Sequence, residues 1–466
     1  MLDTLKTLVG DKYVLSGADM DRWSSDVTGA YVSTPLAVVR PANTAEVSRV
    51  MTWANTTGTA VVPVSGNTGL AGATSANGAV LMSLDRLNQI VEIRSDARHA
   101  TVQSGVILST LHDAVGAHDL VFPLTFGARG SAMIGGCLAT NAGGINVLRY
   151  GNTRDLVLGI EAVMPNGEIM NLMTGLHKNN SGYDLRHLLI GSEGTLGIIT
   201  GAIVKLFPKP RAYATAMIAM RSLPDALGVL HRLQEVTGNA VEAFEYMPRL
   251  HIETFEALNP EARPPFDAPH DINIMVEIGA MSEQDARPDA SGALPVETLL
   301  EEELAALFES GAVLDAVVAR SETQRQEMWA RREASAEVAM SRKPVILCDV
   351  AVPLDQVAPY LTQMEGKLAE VDPGAVPTIV AHLGDGNIHY SVWPSRNDPA
   401  LSDAIMAAVE QQALDLGGSF SAEHGIGLSK KPAMVRHKDP VALAAMRAIK
   451  DALDPNNILN PGKVLP

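Results

Sequence analysis

The chain has 466 residues, 46% of them hydrophobic and 19% charged, which suits a globular protein with ample core and two or three structural units. Its net charge of -17 repels phosphate backbones, so nucleic acid is excluded as a partner, and any anionic substrate needs a local cationic pocket. Aromatics make up only 4% of the chain, so the core must rest on Ala, Val, Leu, Ile and the 19 Met. Two distant cysteines, Cys137 and Cys348, make no disulfide scaffold or metal-ligand spacing and fit a reducing compartment. The opening MLDTLKTLVGDKYVL carries acids and no uninterrupted apolar core. Nor does any uncharged apolar run reach about 18 residues, so no signal peptide or membrane span is expected. The default is a cytoplasmic location, with peripheral membrane attachment left open.

From about Leu36 to Pro208 the sequence is rich in glycine and holds short apolar runs such as LAVVRP, TAVVPVS, AVLMSL, HATVQSG, VLGIEAVMPNGEI and TLGIITGAIVKLFP. They have strand length and are bounded by Gly, Pro, Asn or Asp. TAEVSRVMTWANTTG intervenes as a helix with Thr44 expected as its cap and a glycine stop. The mixture predicts an α+β domain over 1–208. Beyond KPRAY, helical patterns dominate: SLPDALGVLHRLQEVTG and VETLLEEELAALFESG flank the expected strand INIMVEIGA. Pro, Asp and Ala crowd Pro260 to Pro295, where exposed loops are expected. We place a substrate and metal domain at 209–425. A C-terminal segment at 426–466, built around DPVALAAMRAIKDALDP, is expected to pack back on the first domain.

The first chemical signal is the loop from Pro63 and Val64 through Ser65, Gly66, Asn67, Thr68, Gly69 and Leu70 to Ala71 and Gly72, directly after an expected strand. Glycines there let backbone N–H groups approach an anion and form a nest for a pyrophosphate. The loop is neither a P-loop nor a GxGxxG fingerprint, which disfavours a nicotinamide enzyme. A second stretch runs from Gly127 through Ser131, Ile134, Gly135 and Gly136 to Thr140, Asn141, Gly143 and Gly144. A third spans Gly191 to Ile199. Three such stretches point to a long cofactor laid against backbone.

The runs PVSGNTGLAG, PLTFGARGSAMIGGCLATNAGG, RYGNTRDLVLGIEAV and GSEGTLGIIT resemble the flavin-binding domain of the vanillyl-alcohol oxidase superfamily. Within it the chain resembles the FAD-dependent D-2-hydroxyacid dehydrogenases: D-lactate dehydrogenases, glycolate oxidase flavin subunits and D-2-hydroxyglutarate dehydrogenases. The resemblance covers nearly the whole chain. It implies FAD with its pyrophosphate on residues 65–69 and its ring system near 124–143. Pro63 and Leu70 flank the pyrophosphate loop, and Leu124, Gly197, Ile198, Ile199 and Asn460 complete the implied cofactor set. Some relatives tether the flavin to a histidine in the first loop. Residues 63–72 contain none, so non-covalent FAD is expected.

The second signal is Ala381 to Tyr390, AHLGDGNIHY. If Gly384 to Asn387 form the hairpin loop, His382 faces His389 with Cβ atoms roughly 5 Å apart, and two such imidazoles can share a metal. Glu423 and His424, in SAEHGIG, offer a third ligand and a base. Two histidines and one carboxylate leave coordination positions open, which suits a catalytic metal. The resemblance implies His382, His389 and Glu423 as ligands and His424 as base. Zinc is the usual metal, and manganese or iron also suit these donors.

The expected substrate is R–CH(OH)–COO⁻, whose carboxylate calls for a bidentate guanidinium. Arg331 and Arg332 are the candidates, and the W-x-x-R pattern of the resembled family favours Arg332. Asn387 is a further candidate substrate contact. D-2-hydroxyglutarate enzymes typically follow that arginine with a Thr and then a Lys, where this chain has Ala336 and Leu347. An apolar pocket disfavours a second carboxylate, so D-lactate or a slightly larger aliphatic acid is expected. The alternatives are D-2-hydroxyglutarate or D-malate, with Arg342 or Lys343 serving the distal carboxylate, and a glycolate-oxidase-like subunit that needs partners. The electron acceptor is open among a quinone, a cytochrome and an electron-transfer flavoprotein. The resemblance also implies a homodimer.

Overall fold

The computed structural model describes residues 1–290 and 292–466. The chain forms two compact units. One comprises Met1–Gly144, Tyr150–Pro208 and Glu423–Pro466, and the other Ile145–Arg149 and Lys209–Ala422.

The first unit holds a four-stranded sheet in the order Val14–Leu15, Ala37–Val39, Val80–Ser83, Val61–Val64. Its last three strands are parallel and wholly or mostly buried, as the unbroken apolar runs around them anticipate. A five-stranded antiparallel sheet follows, ordered Ile90–Arg94, His99–Gln103, Ile198–Lys205, Val157–Val163, Ile169–Leu172. The helix Thr44–Thr57 ends at Gly58 in the left-handed conformation. Its N-cap is Asn43, whose side chain accepts the N–H of Glu46, and not the expected Thr44. The Thr44 hydroxyl donates instead to Glu161 on the second sheet.

The second unit is built on a seven-stranded antiparallel sheet, where the sequence pattern suggested mainly helix. Its order is Val313–Val318, Ala212–Met220, Ile272–Ala280, Val241–Pro248, Val376–His382, Asn387–Trp393, Ile346–Ala351. Strand side chains alternate between faces. One face presents Phe244, Val276, Cys348, Ala381, Ile388 and Tyr390 to the helices Ala226–Thr237, Pro295–Glu309, Val357–Val371 and Pro399–Asp415. Burying each large side chain there contributes roughly 1.5–3 kcal/mol. The same alternation turns Glu245, Glu277, Asp349, His382, Asn387 and His389 to the opposite face. That face carries the candidate site.

Candidate active site

In the second unit, the Val376–His382 and Asn387–Trp393 strands form the expected histidine hairpin, but its register differs from the expected one. His382 pairs with Asn387 and His389 with Val380, so the loop is Leu383–Gly386. The cause is local. Gly386 takes φ 82 and must lie inside the turn, while the Asp385 carboxylate accepts the N–H of Asn387 and starts the returning strand there. The two histidines become diagonal neighbours on one face instead of direct opposites. Their Nε2 atoms are nonetheless 3.4 Å apart.

That separation matches a shared metal. Two nitrogens each about 2.0–2.1 Å from a tetrahedral zinc are separated by roughly 3.3–3.4 Å. Each ring also faces a carboxylate with its other nitrogen. His382 Nδ1 lies 2.9 Å from Glu245 Oε1, and His389 Nδ1 lies 3.6 Å from Asp349 Oδ1. Such partners orient ligating imidazoles and keep Nε2 toward the ion. Burial pushes the Glu245 carboxyl up, but His382 and Arg332 outweigh it and hold it below the usual carboxylate range. Burial pushes the Asp385 carboxyl up as well.

Arg332, from the helix Glu322–Glu333, is buried on this face. Its Nε donates to Glu245 Oε2 at 2.6 Å, and its Nη2 lies 3.2 Å from His382 Nε2. The Nε/Nη2 edge of the guanidinium thus serves Glu245 and His382, while Nη1 lies 3.4 Å from Ser335 Oγ. Arg331 points elsewhere, to the carbonyls of Glu327 and Arg263. Asn387 donates Nδ2 to Asp349 Oδ1 at 2.8 Å and to the Val350 carbonyl at 3.0 Å. Its Oδ1 is buried with no protein donor among the described residues, so it can accept a ligand hydroxyl. Leu347 lies on the same strand face as Asp349, two residues away, and Ala336 sits in the helix Ser335–Met340. Arg342 stacks on the Trp393 ring at 4.5 Å, and Lys343 is exposed beside Met340.

The first unit holds the glycine loops. After the Val61–Val64 strand, which contains Pro63, the N–H groups of Gly66, Asn67, Thr68, Gly69 and Leu70 donate to no acceptor among the described residues. Unpaired backbone donors in one half-buried loop are what an anionic pyrophosphate requires. Gly66 has no room for a side chain, since a Cβ there would stand 2.2 Å from the Ser131 carbonyl oxygen. A Cβ on Gly135 would crowd Ser104 and come within 3.1 Å of Ser65 Oγ. The loops around Ser65, Ser131 and the Ile134–Thr140 helix therefore meet through backbone and small residues, a cradle that fits the flavin nucleotide. Asn141 caps that helix in the left-handed conformation and accepts the N–H of Arg154. Leu124, Ile134, Ile198 and Ile199 are core residues whose side chains lie in hydrophobic clusters. Gly127 is exposed and Gly136 and Thr140 half-buried, while Gly197 packs on Leu189. Asn460 donates to the carbonyls of Ala73 and Glu193, and its Oδ1 is buried without a donor among the described residues.

Glu423 and His424 lie in this unit, with a carboxylate oxygen and a ring nitrogen within 4.8 Å of each other. Glu423 Oε1 rests against Gly143, where a Cβ would stand 2.3 Å away. Three residues with parts in these arrangements escaped the sequence reading: Glu245, Asp349 and Glu193. Glu245 was legible only as one of two acids in the strand VEAFEYMP, and Asp349 only as the single charge in ILCDVA. No helix among the described residues is long and apolar enough to cross a membrane.

Two family profiles match the chain, "FAD binding domain" over residues 35–173 and "FAD linked oxidases, C-terminal domain" over residues 209–464. The D-2-hydroxyglutarate dehydrogenase of Xanthomonas citri pv. viticola is 37% identical, over 96% of this chain and 93% of that protein. The enzyme of the same name from Stutzerimonas stutzeri is 33% identical, over 100% of this chain and 98% of its own. The mitochondrial one of Rattus norvegicus is 34% identical, over 92% and 78%. Among solved structures, p-cresol methylhydroxylase with substrate bound matches with a TM-score of 0.74 at 16% identity, over 99% of this chain and 95% of that one. The 4-ethylphenol oxidase of Gulosibacter chungangensis matches with a TM-score of 0.74 at 18% identity, over 100% and 97%. These two share the vanillyl-alcohol-oxidase-type fold. With profile matches across both halves and relatives above 30% identity over nearly its full length, the chain belongs to the FAD-linked oxidases and is an FAD-dependent D-2-hydroxyacid dehydrogenase.

Proposed function

We propose that the chain oxidises D-2-hydroxyglutarate to the corresponding 2-oxo acid, with a divalent metal held by His382, His389 and Glu423 and with His424 as the base. The substrate reading is carried by the relatives, since all three quoted above are named for it. The 3.4 Å separation of the histidine Nε2 atoms supports the metal, with Asp349 beside His389 Nδ1 to orient that ring. Within the second unit the Ala422 N–H donates to the Asp349 backbone carbonyl.

When bound, FAD supplies a two-electron acceptor for the hydride on substrate C2. When bound, a divalent cation lowers the pKa of the substrate hydroxyl. Neutral His424 takes the hydroxyl proton. The Nη1 end of Arg332, whose Nε already pairs with Glu245, holds the substrate carboxylate. Asn387, fixed by Asp349 and Val350, turns its free carbonyl oxygen to the hydroxyl. Together these contacts hold the C–H bond in one orientation. A non-nicotinamide acceptor (a quinone, a cytochrome or an electron-transfer flavoprotein) then takes the electrons.

D-lactate is a second reading, favoured by one observation. Leu347 stands on the site face where a cation for a distal carboxylate is expected, and both Arg342 and Lys343 are exposed. The experiment is anaerobic mixing of the purified flavoprotein with each acid, before and after chelation. Fast flavin bleaching by D-2-hydroxyglutarate, lost on chelation, supports the first reading. Bleaching by D-lactate alone replaces it with the second, and bleaching by neither acid overturns both.

A further inference from the structure

We infer that Glu193 is a positioning residue for the Glu423–His424 segment. The inference rests on the reading of those two residues as ligand and base. Glu193 is buried in the first unit, in the turn of GSEGTLG; among the described residues its carboxylate makes no side-chain hydrogen bond or ion pair, although the Lys430 and Lys463 charges act on it. Its Oε1 accepts the N–H of Ile426 at 2.7 Å and its Oε2 the N–H of Gly427 at 2.8 Å, two and three residues after His424. Charge-assisted bonds of this kind are among the stronger ones a backbone can make.

The carboxylate also sets the fit of the residue between. Gly425 has φ 74, and a Cβ there would stand 2.7 Å from Glu193 Oε1. The SAEHGIG segment thus closes onto Glu193 at a place only glycine can occupy. Glu193 itself is held on two sides. Its N–H donates to the Ala139 carbonyl at 2.7 Å, on the Ile134–Thr140 helix of the flavin cradle. Its carbonyl accepts Asn460 Nδ2 at 2.8 Å. Its φ of 51 is in the left-handed region, which a glutamate gains nothing from entering, so its surroundings impose that conformation. One residue therefore couples the helix leading to Gly143, against which Glu423 rests, with the backbone that follows His424.

The test uses the FAD-loaded full chain and four variants, Glu193→Gln, Glu193→Ala, Glu423→Gln and His424→Ala. Each is measured for flavin content, melting temperature, zinc affinity by competition with a chromophoric chelator, and rate of flavin reduction. For Glu193→Gln the expected result is parental flavin content and melting, with zinc affinity and flavin reduction each lowered by about 10–100-fold, the usual cost of losing an outer partner of a metal centre. Glu193→Ala should fall at least as far. If it fails to load flavin, Glu193→Gln alone decides. Parental zinc affinity and rate in Glu193→Gln, while Glu423→Gln loses zinc and His424→Ala loses rate, overturn the role of Glu193 and leave the ligand and base standing. Retention of zinc in Glu423→Gln overturns the ligand assignment, and the inference with it. Loss of zinc in Glu193→Gln together with loss of flavin marks a merely structural residue, which also overturns it.

Discussion

His382 and His389 approach each other across one hairpin, Nε2 to Nε2 at 3.4 Å, although the strand register does not pair them. Both rings are steered by carboxylates on neighbouring strands, Glu245 for His382 and Asp349 for His389. Replacing Glu245 with glutamine keeps the shape but weakens the hold on the imidazole. Zinc affinity, read by chelator competition, is expected to fall about 10–100-fold. Replacing His389 with alanine removes a ligand outright and should cost more than Glu245→Gln. Equal affinity in the parent and both variants would remove the histidine hairpin from the metal site.

The Glu245–Arg332 pair makes a separate prediction about stability. Both side chains are almost fully buried, at 1% and 5% exposure. Removing Arg332 alone, as in Arg332→Met, leaves Glu245 with only His382 to offset its charge. Breaking a buried pair in this way costs about 3–5 kcal/mol. Replacing both members, Glu245→Gln with Arg332→Met, should recover much of that loss, because no uncompensated carboxylate remains. Urea unfolding of the parent, the single variant and the double variant measures it. A double variant less stable than Arg332→Met would refute the account.

What could be read in advance follows a physical divide. Ile272–Ala280 was legible as a strand because it is short and dominated by the β-prone Ile and Val. The glycine loops were legible because many glycines in short compass have few structural uses. The hairpin register was not, since the Gly-Asp-Gly-Asn quartet allows two loop frames and the choice depends on Asp385 capping Asn387. Glu245, Asp349 and Glu193 were invisible as site residues because their meaning is tertiary. Glu245 lies 137 positions from His382, and Glu193 lies 233 from Ile426. The substrate expectation from Ala336 and Leu347 pointed to D-lactate, whereas the relatives bear the name of D-2-hydroxyglutarate. A pocket read from two aligned positions leaves out every other group that lines it.

Gly66 offers a test of the flavin cradle. A methyl group there would collide with the Ser131 carbonyl at 2.2 Å, and neither backbone can yield without moving the unpaired N–H groups of the loop. Gly66→Ala should therefore purify with much less FAD per chain, by absorbance ratio. Gly116→Ala is the control, because a Cβ at that helix end meets nothing within 4 Å. It should keep its flavin and be neutral or slightly stabilising, by up to about 1 kcal/mol. Full flavin content in Gly66→Ala would mean that the loop does not hold the cofactor.

Stability toward acid is set in part by His251, on the helix Arg249–Leu258. Its Nε2 lies 2.8 Å from the Arg331 carbonyl, and burial pulls its pKa from 6.5 down to about 4. A depressed folded-state pKa means that the unfolded chain takes up the proton first. The stability this residue contributes is complete above pH 6.5 and drains away as the pH falls toward 4. At about 1.4 kcal/mol per pKa unit the total is about 3 kcal/mol, a large part of the net stability of an ordinary domain. Glutamine at this position can donate the same bond to Arg331 and does not titrate. Between pH 7 and 4.5 the parent should therefore lose about 2 kcal/mol more than His251→Gln in urea unfolding. Parallel losses in the two proteins would show that His251 is protonated as readily in the folded chain as in the unfolded one, and the acid sensitivity would then belong to other groups.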